Sequence, residues 1–466
     1  MPAPPVNASP ARVYYNGEIL MLSRILLPLT ACVLLTCPVD AQTDSQAAPQ
    51  TASPSAAAEN DPIKTLVGRL DLNKYKATIR GLTKFGDRRQ GTDRNRAAID
   101  WIEAQLKSYG CTNTERIHYE YTPPARGGRR GGTDTADAAG DGTGGGTGGG
   151  GRGGRGGGAA NGAGAGRGGR GGFGRAGGRI RGDRGPTAAN NDADLQPDTR
   201  LRELDSQPST PGPREEVFCT KIGTTHPEEM YIVGAHMDGI GYGEAANDDG
   251  SGTALVMEVA RVLSSPDVTT ERTIRFALWN NEETGLNGAR AYADQRKDLQ
   301  GKEDPPGSGK YPEPKWLGMI QHDMLLFDHG MPGKDGTVSE HQRPEADVNI
   351  EFQSNSKMAA GAAELAWAFL AANEAYATDY PAVVGNHMTN TDSTPFMDLT
   401  PSISLRELER VSQIGGGWDP THHQPTDVYS HFSEGDFRLG LNATQTTLGA
   451  VARLSGAKLK ETTASR

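Results

Sequence analysis

Residues 230–263 read MYIVGAHMDGIGYGEAANDDGSGTALVMEVARVL, and this stretch decides the fold. It opens with a short apolar run, MYIVGAH, which is typical of a strand buried on both faces of a sheet. It closes with SGTALVMEVARVL, whose apolar spacing predicts a helix that begins near Ser251. The acidic turn AANDDGSG lies between the two, and Asp248 or Asp249 can cap that helix. The stretch therefore predicts a strand, a turn and a helix, with carboxylates in the turn.

The same alternation of strand and helix continues along the chain. TIRFALWN at 273–280 and LGMIQHD at 317–323 read as strands, and KMAAGAAELAWAFLAA at 357–372 reads as a helix. Upstream, the spacing predicts a helix over 93–110 and then a strand over 114–121. Apolar strands that alternate with amphipathic helices indicate a sheet covered on both faces. We therefore predict an α/β fold, a three-layer α/β/α sandwich with a mixed, largely parallel central sheet.

Glycine marks where this fold is interrupted. The chain has 466 residues and 62 glycines, and most of the excess lies in RGG-like repeats. Such repeats bury too little apolar surface to offset the entropy of ordering, so they predict a long disordered glycine-rich insert. The predicted organisation is a signal peptide with a mis-assigned N-terminal extension (1–41), a disordered linker (42–61), one folded domain (62–125 and 207–460) and a disordered Gly/Arg-rich insert (126–206).

The charge of the chain argues against nucleic acid as a partner. The formal net charge is −10, and the segment from Arg126 to Gly185 holds eleven arginines against four aspartates, so the folded part is more acidic still. Affinity for nucleic acid comes mainly from Lys and Arg that neutralise phosphates. We expect peptides or small molecules as partners. RNA binding by the RGG-like repeats is the alternative to a simple spacer.

The N-terminal region predicts export. Arg24 precedes the apolar run Ile25–Leu35, and Val39-Asp40-Ala41 is typical of a signal-peptide cleavage site. No later stretch is long and apolar enough for a transmembrane anchor. We expect a periplasmic or extracellular protein. The sequence around Cys32 also resembles a lipobox, so a lipid anchor is the alternative.

Two cysteines remain after this cleavage, Cys111 and Cys219. In an oxidising compartment they can form one disulfide. Two separate buried thiols are the alternative, because spacing along the chain says nothing about distance in space.

Acidic and imidazole groups follow several of the predicted strands. His236 follows the first strand, Glu282 and Glu283 follow the second, and Asp323 follows the third. Each of them alone has an ordinary structural explanation as a cap or a solvated charge. Ligands at several strand ends of one sheet together predict a metal site, because sites in such sheets form at the carboxyl ends of strands.

Five motifs occur in order along the chain: GAHMDG (234–239), NDDGSG (247–252), NEETG (281–285), QHDM (321–324) and HQPTD (423–427). They resemble the dinuclear zinc exopeptidase family of secreted bacterial leucyl aminopeptidases, which also contains glutamate carboxypeptidase and glutaminyl cyclase relatives. The resemblance covers roughly residues 62–450 apart from the glycine-rich insert.

The resemblance implies two Zn²⁺ ions per chain. It gives one ion to His236 and Asp323 and the other to Glu283 and His423, with Asp248 bridging the two. His422 is the alternative to His423 as the metal ligand. Imidazole and carboxylate ligands suit zinc and leave positions for water and substrate.

The resemblance also assigns two further carboxylates. Glu282 matches the general acid/base, which takes a proton from the zinc-bound water and delivers it to the leaving amine. Asp238 matches the carboxylate that orients His236 through its other ring nitrogen.

The function expected from the resemblance is that of a zinc aminopeptidase, which removes N-terminal residues from peptides through a hydroxide bound by two zinc ions. A carboxypeptidase is the first alternative, and it would use Arg406 or Arg410 for the substrate carboxylate. A glutaminyl cyclase would depart from the full ligand set. A catalytically silent binding ectodomain would have lost ligands, whereas all five are present here. The sequence does not indicate an oligomeric state.

Overall fold

The computed structural model describes residues 61–122, 189–329, 347–388, 390–407 and 419–460. The predicted signal peptide, the predicted linker up to residue 60 and the predicted insert up to residue 188 lie outside these residues. Within the described ranges, no helix has the length and apolar character that crossing a membrane requires.

Eight α-helices lie in the described part of the chain. They are α1 (Pro62–Val67), α2 (Leu72–Leu82), α3 (Asp93–Ser108), α4 (Thr199–Asp205), α5 (Gly250–Leu263), α6 (Asn287–Arg296), α7 (Ala359–Tyr376) and α8 (Glu434–Ser455). The helices predicted around 93–110, 251–263 and 357–372 are α3, α5 and α7.

Ten strands accompany them in the described residues. They are β1 (Thr114–Tyr121), β2 (Gly212–Lys221), β3 (His226–His236), β4 (Val268–Thr269), β5 (Arg272–Trp279), β6 (Lys315–His322), β7 (Val348–Phe352), β8 (Ala382–Gly385), β9 (Ser402–Arg406) and β10 (Lys458–Leu459). The strands predicted from the apolar runs are β3, β5 and β6, and β1 has the predicted bounds.

The central sheet has eight strands in the order β1-β2-β5-β3-β6-β9-β7-β8. The four central strands, β5, β3, β6 and β9, run parallel to one another. β2 is antiparallel to both β1 and β5, and β7 is antiparallel to β9. This confirms the mixed, largely parallel sheet. Because the central strands are parallel, their carboxyl ends meet at one edge of the sheet.

Apolar side chains cover both faces of this sheet. Along β5, Phe276 and Leu278 belong to the larger core, whereas Ala277 and Trp279 belong to the smaller one. Successive residues of a strand point to opposite faces, so the two cores lie on opposite sides of the sheet. Helices α2, α3, α5, α7 and α8 contribute to the larger core, and α6 contributes to the smaller one. The three layers are those predicted.

The two cysteines form a disulfide. Cys111 follows α3 and Cys219 lies in β2, and their Cα atoms are 6.1 Å apart. The question that spacing along the chain left open is answered in favour of the bond.

The predicted C-terminal boundary of the glycine-rich insert, residue 206, lies too far along the chain. Residues 189–206 were assigned to the insert, but the structure describes them, and they include a 3-10 turn at Ala193–Leu195 and helix α4. The segment is polar, which is why composition assigned it to the insert. Its carboxylates act as helix caps, because Asp192 accepts from Asp194 N and Asp198 accepts from Leu201 N. Leu201 is buried and anchors α4 to the domain.

Candidate metal centre

The parallel strands bring the predicted ligands to one edge of the sheet. His236 is the last residue of β3, and Asp323 follows β6 directly. Glu283 lies in the turn after β5. Asp248 lies in the turn before α5, directly ahead of the residue that caps the helix. These elements are neighbours in the sheet, so their ends converge.

Asp248 lies at the centre of the cluster. Its Oδ1 is 3.3 Å from Nε2 of His236, and its Oδ2 is 3.1 Å from Nε2 of His423. Nε2 of His423 is 2.8 Å from Oε2 of Glu283. Nε2 of His236 is 3.8 Å from Oδ1 of Asp323. The structure therefore brings all five predicted ligands together, with one pair on each side of Asp248.

These side chains open into one cavity. It is lined by His236, Asp248, Glu282, Glu283, Gly285, Leu286, Asp323, Asn390, Arg406, His422 and His423. Glu282 is half-buried in it, whereas the neighbouring Glu283 is buried. The two adjacent carboxylates thus have different environments, as their different expected tasks require.

Both adjacent histidines reach the cluster. Nε2 of His422 is 3.4 Å from Oδ2 of Asp248, and the two imidazoles are stacked with their centroids 3.7 Å apart. His423 is the one whose Nε2 also lies beside Glu283. This geometry favours His423 as the ligand and leaves His422 in the wall of the cavity.

Asp238 is placed differently from the expectation. Its main-chain carbonyl, not its carboxylate, lies 3.0 Å from Nδ1 of His236, while Oδ1 of the carboxylate is 3.9 Å away. That carboxylate oxygen accepts a hydrogen bond from the main-chain N–H of Glu282 at 3.0 Å. The short turn after β3 folds the carbonyl of Asp238 back onto the imidazole, which frees the side chain to hold the turn after β5.

The profile described as Peptidase family M28 matches residues 217–439. This range contains all five predicted ligands and Glu282. Over these residues the chain is similar to peptidase family M28. The family confirms the resemblance that the five ordered motifs predicted.

Several known proteins resemble this chain. Aminopeptidase YwaD of Bacillus subtilis is 41% identical over 213 residues, which is 45% of this chain and 38% of that protein. The probable lipoprotein aminopeptidase LpqL of Mycobacterium tuberculosis is 26% identical over 237 residues, 49% of this chain and 43% of that protein. The chain thus spans about two fifths of the length of these curated relatives.

Among solved structures, the aminopeptidase from Aneurinibacillus sp. strain AM-1 has a similar fold. The TM-score is 0.50 at 17% identity, and the likeness covers 86% of this chain and 97% of that one. At this identity the likeness concerns the fold alone.

The turn that carries Asp248 is held by buried polar groups. The carboxylate of Asp427 accepts from the main-chain N–H of Asn247 at 2.8 Å and of Asp248 at 3.1 Å. The Asn247 amide donates to Glu407 at 2.8 Å and to Asp419 at 2.9 Å. Neither Glu407 nor Asp419 belongs to one of the five ordered motifs. Glu407 directly follows β9, so the pattern of acidic residues after strands could have found it.

Arg88 stabilises the same region through hydrogen bonds to its main chain. Its guanidinium donates to four main-chain carbonyls, those of Met237 at 2.7 Å, Glu244 at 2.8 Å, Ala245 at 2.8 Å and Gly86 at 3.1 Å. Arg88 is fully buried. It ties the turn after His236 to the segment that leads into the acidic turn, and no motif in the sequence marked it.

Arg406 is already engaged. It is buried, and its guanidinium donates to Oδ2 of Asp323 at 2.7 Å. The ion pair leaves Oδ1 of Asp323 on the side of His236. Of the two arginines that a carboxypeptidase would use to bind the substrate carboxylate, Arg406 is thus paired with Asp323, and Arg410 lies outside the described residues.

Proposed function

We propose that this chain is a zinc-dependent aminopeptidase that binds two zinc ions and removes N-terminal residues from peptides. The observation that carries the proposal is the convergence of five nitrogen and oxygen ligands and Glu282 in one cavity. YwaD, which is 41% identical over 213 residues, is an aminopeptidase, which supports the same class of activity here.

The side chains of the cavity fit divalent cations. Among the described residues, Oδ2 of Asp248 and Oε1 of Glu283 are buried without a hydrogen-bond donor. Burial raises the pKa of Glu283 to about 7, His423 opposes this rise and Asp248 adds to it. Cations would give the orphaned oxygens a partner and keep the carboxylates ionised. Imidazole with carboxylate is a ligand set that zinc accepts.

In this proposal His236 and Asp323 would hold one ion and Glu283 and His423 the other, and the carboxylate of Asp248 lies within reach of both sets of ligands. When bound, the ions polarise the scissile carbonyl and lower the pKa of water at the site. The chain's own contribution is to hold these side chains in place before substrate arrives.

Glu282 is the residue that moves the proton. Its main-chain N–H is fixed by Asp238, so its carboxylate is directed from a rigid turn. Burial raises the pKa of Glu282 well above its ordinary value, the charge of His236 opposes the rise, and Asp392 adds to it. A carboxylate with a raised pKa accepts a proton from water and returns it to the leaving amine near neutral pH.

The charges of the cavity favour a free amine over a free carboxylate as the end of the substrate. A carboxypeptidase needs a cation that is available to the terminal carboxylate. Apart from histidines, Arg406 is the one cationic side chain among the described residues that line the cavity, and it is paired with Asp323. Among the described lining residues, a terminal carboxylate would therefore find no arginine or lysine that is not already paired.

The substrate prediction can be tested with two matched sets of peptides. We expect aminoacyl p-nitroanilides with a free amine to be hydrolysed, and the same compounds to be resistant once the amine is acetylated. Removal of metal with a chelator should abolish hydrolysis, and zinc should restore it. The measurement is release of p-nitroaniline together with mass analysis of the peptide products.

Each alternative has its own signature in this experiment. Cleavage of N-blocked peptides from the free carboxyl end would establish the carboxypeptidase. A protein that is well folded, binds no zinc and cleaves neither set would be a binding domain on the M28 fold.

We also propose that the protein is exported. The signal-like segment around Arg24 and the disulfide between Cys111 and Cys219 support this, because disulfides persist in oxidising compartments. We expect the exported protein to begin after Ala41 and to contain no titratable thiol until it is reduced. Intact mass and thiol titration of protein from each cell fraction measure both. Full-length protein with four free thiols inside the cell would contradict export.

A further inference from the structure

Residues 190–198, which we call the strap, cross over the loop that carries the candidate ligand His423. The main-chain N–H of Asn190 donates to the carbonyl of His423 at 3.0 Å. The side-chain amide of Asn190 donates to the carbonyl of Gly241 at 3.3 Å. One residue of the strap therefore contacts both the ligand loop and the loop that follows His236.

Gln196 repeats this bridge. Its side-chain amide donates to the carbonyl of Tyr242 at 2.6 Å and to the carbonyl of Pro425 at 3.0 Å. Its Oε1 accepts from the main-chain N–H of Asp198 at 3.0 Å, so the amide orientation is fixed. Gln196 is 2% exposed in a segment that is otherwise largely exposed. A buried amide whose two N–H bonds go to two different loops acts as a cross-link between them.

The strap is anchored at its C-terminal end. Helix α4 follows it, and Leu201 of that helix is buried. Asp205 at the end of α4 pairs with the buried Arg94 at 3.0 Å and accepts from the main-chain N–H of Asp87 at 3.1 Å. The strap is therefore fixed to the body of the domain and can transmit that rigidity to the loops beneath it.

The ligand loop has a conformation that needs such support. His423 has φ 58°, in the left-handed region that residues other than glycine seldom adopt. Gly241 packs directly on the main chain of His423, where a Cβ would overlap the carbonyl. A strained backbone persists only when its surroundings over-determine it. The hydrogen bond to the carbonyl of His423 and that to Pro425 are contacts of this kind.

We propose that the strap is a positioning element for the metal site, and that Gln196 is its central residue. The strap holds the main chain on either side of the imidazole of His423, so that Nε2 stays beside Glu283 and Asp248. This inference rests on the proposed function, because His423 is a proposed zinc ligand. Groups that orient a ligand contribute about 10-fold to 100-fold in metal affinity.

The test is zinc binding by a Gln196→Glu variant. The substitution keeps the size of the side chain and the acceptor for Asp198, but it replaces the donor with an oxygen that faces two carbonyls. We expect competition with a chromophoric chelator to show one of the two ions bound at least about 10-fold more weakly and the other unchanged. Because the measured quantity is the affinity for each zinc ion, the test does not depend on hydrolysis of a substrate.

Asn191→Asp is the matched control. Asn191 belongs to the same strap and is exposed, and its amide donates to the carbonyl of Ala189 rather than to either loop. The chemical change is the same amide-to-carboxylate exchange. We expect both ions to bind this variant as they bind the unmodified protein.

The inference is overturned if Gln196→Glu binds both ions as tightly as Asn191→Asp. If Gln196→Glu does not fold, Gln196→Met removes the same donors without adding charge, and its zinc affinity decides the question. If the unmodified protein binds no zinc, the proposed function fails but the strap can still be judged. Amide hydrogen exchange over 421–428 should then be faster in Gln196→Glu than in the control, and equal rates would refute the strap.

Discussion

A Glu282→Gln variant should retain both zinc ions and lose activity by about 10²-fold to 10⁴-fold in kcat, the usual contribution of a positioned general base. The amide has nearly the same shape as the carboxylate but cannot accept the proton of the attacking water. Glu282 lies in the cavity beside the proposed ligands without being one of them. We therefore expect KM to change little, because the lost interaction occurs in the transition state. Zinc content and steady-state kinetics measure the two parts.

The neighbouring residue provides the control. Glu283→Gln makes the same chemical change one position along the chain, at a carboxylate 2.8 Å from Nε2 of His423. We expect this variant to lose one of the two ions, and to lose activity for that reason. If Glu282→Gln loses zinc as Glu283→Gln does, Glu282 is a ligand and the assigned roles are wrong. If Glu282→Gln keeps full activity, another group accepts the proton.

The fold was predictable because its strands are buried on both faces. A run such as TIRFALWN has to be buried along its whole length, and β5 is buried at every position except the first. The helix that follows Asp249 has a cap and an apolar spacing that determine where it begins. The end of the insert was mispredicted because residues 189–206 are polar. They are held by caps, by the buried Leu201 and by hydrogen bonds to distant loops, which composition does not reveal.

The site was predictable only in part, for a similar reason. The five proposed ligands share a position after strands or in short turns, and the order of the strands brings them together. The groups that support them come from remote places in the sequence. Arg88 acts through carbonyl groups that every residue has, and Gln196 does the same. A residue that binds a main chain leaves no pattern of side chains to recognise. Glu407, in contrast, directly follows β9 as Asp323 directly follows β6, so its position after a strand could have marked it as a candidate.

A second large effect is expected on the stability of the protein, at a buried ion pair next to the smaller core. Glu313 accepts hydrogen bonds from Arg275 and Trp316, and from the hydroxyl of Tyr292 at 2.7 Å. Arg275 and Glu313 are both almost fully buried. Glu313→Gln should lower the free energy of unfolding by about 3–5 kcal/mol, because Arg275 keeps its charge in the core without a counter-charge. Urea unfolding of the metal-free protein measures this.

Two further variants separate the ion pair from a general loss of charge. Asp294→Asn removes the carboxylate of an exposed pair with Lys297, 2.7 Å apart at the end of α6, and should leave the free energy of unfolding nearly unchanged. Adding Arg275→Met to Glu313→Gln should recover part of the loss, since it removes the buried charge that has lost its counter-charge. If the double variant is no more stable than Glu313→Gln alone, the cost arises from the bonds of Tyr292 and Trp316 rather than from the unpaired charge. β5 carries Arg275 in its middle, and the turn with Glu282 and Glu283 follows that strand. Unfolding of the metal-free protein therefore measures the stability around β5, the strand that positions Glu282 and Glu283, without any contribution from bound metal.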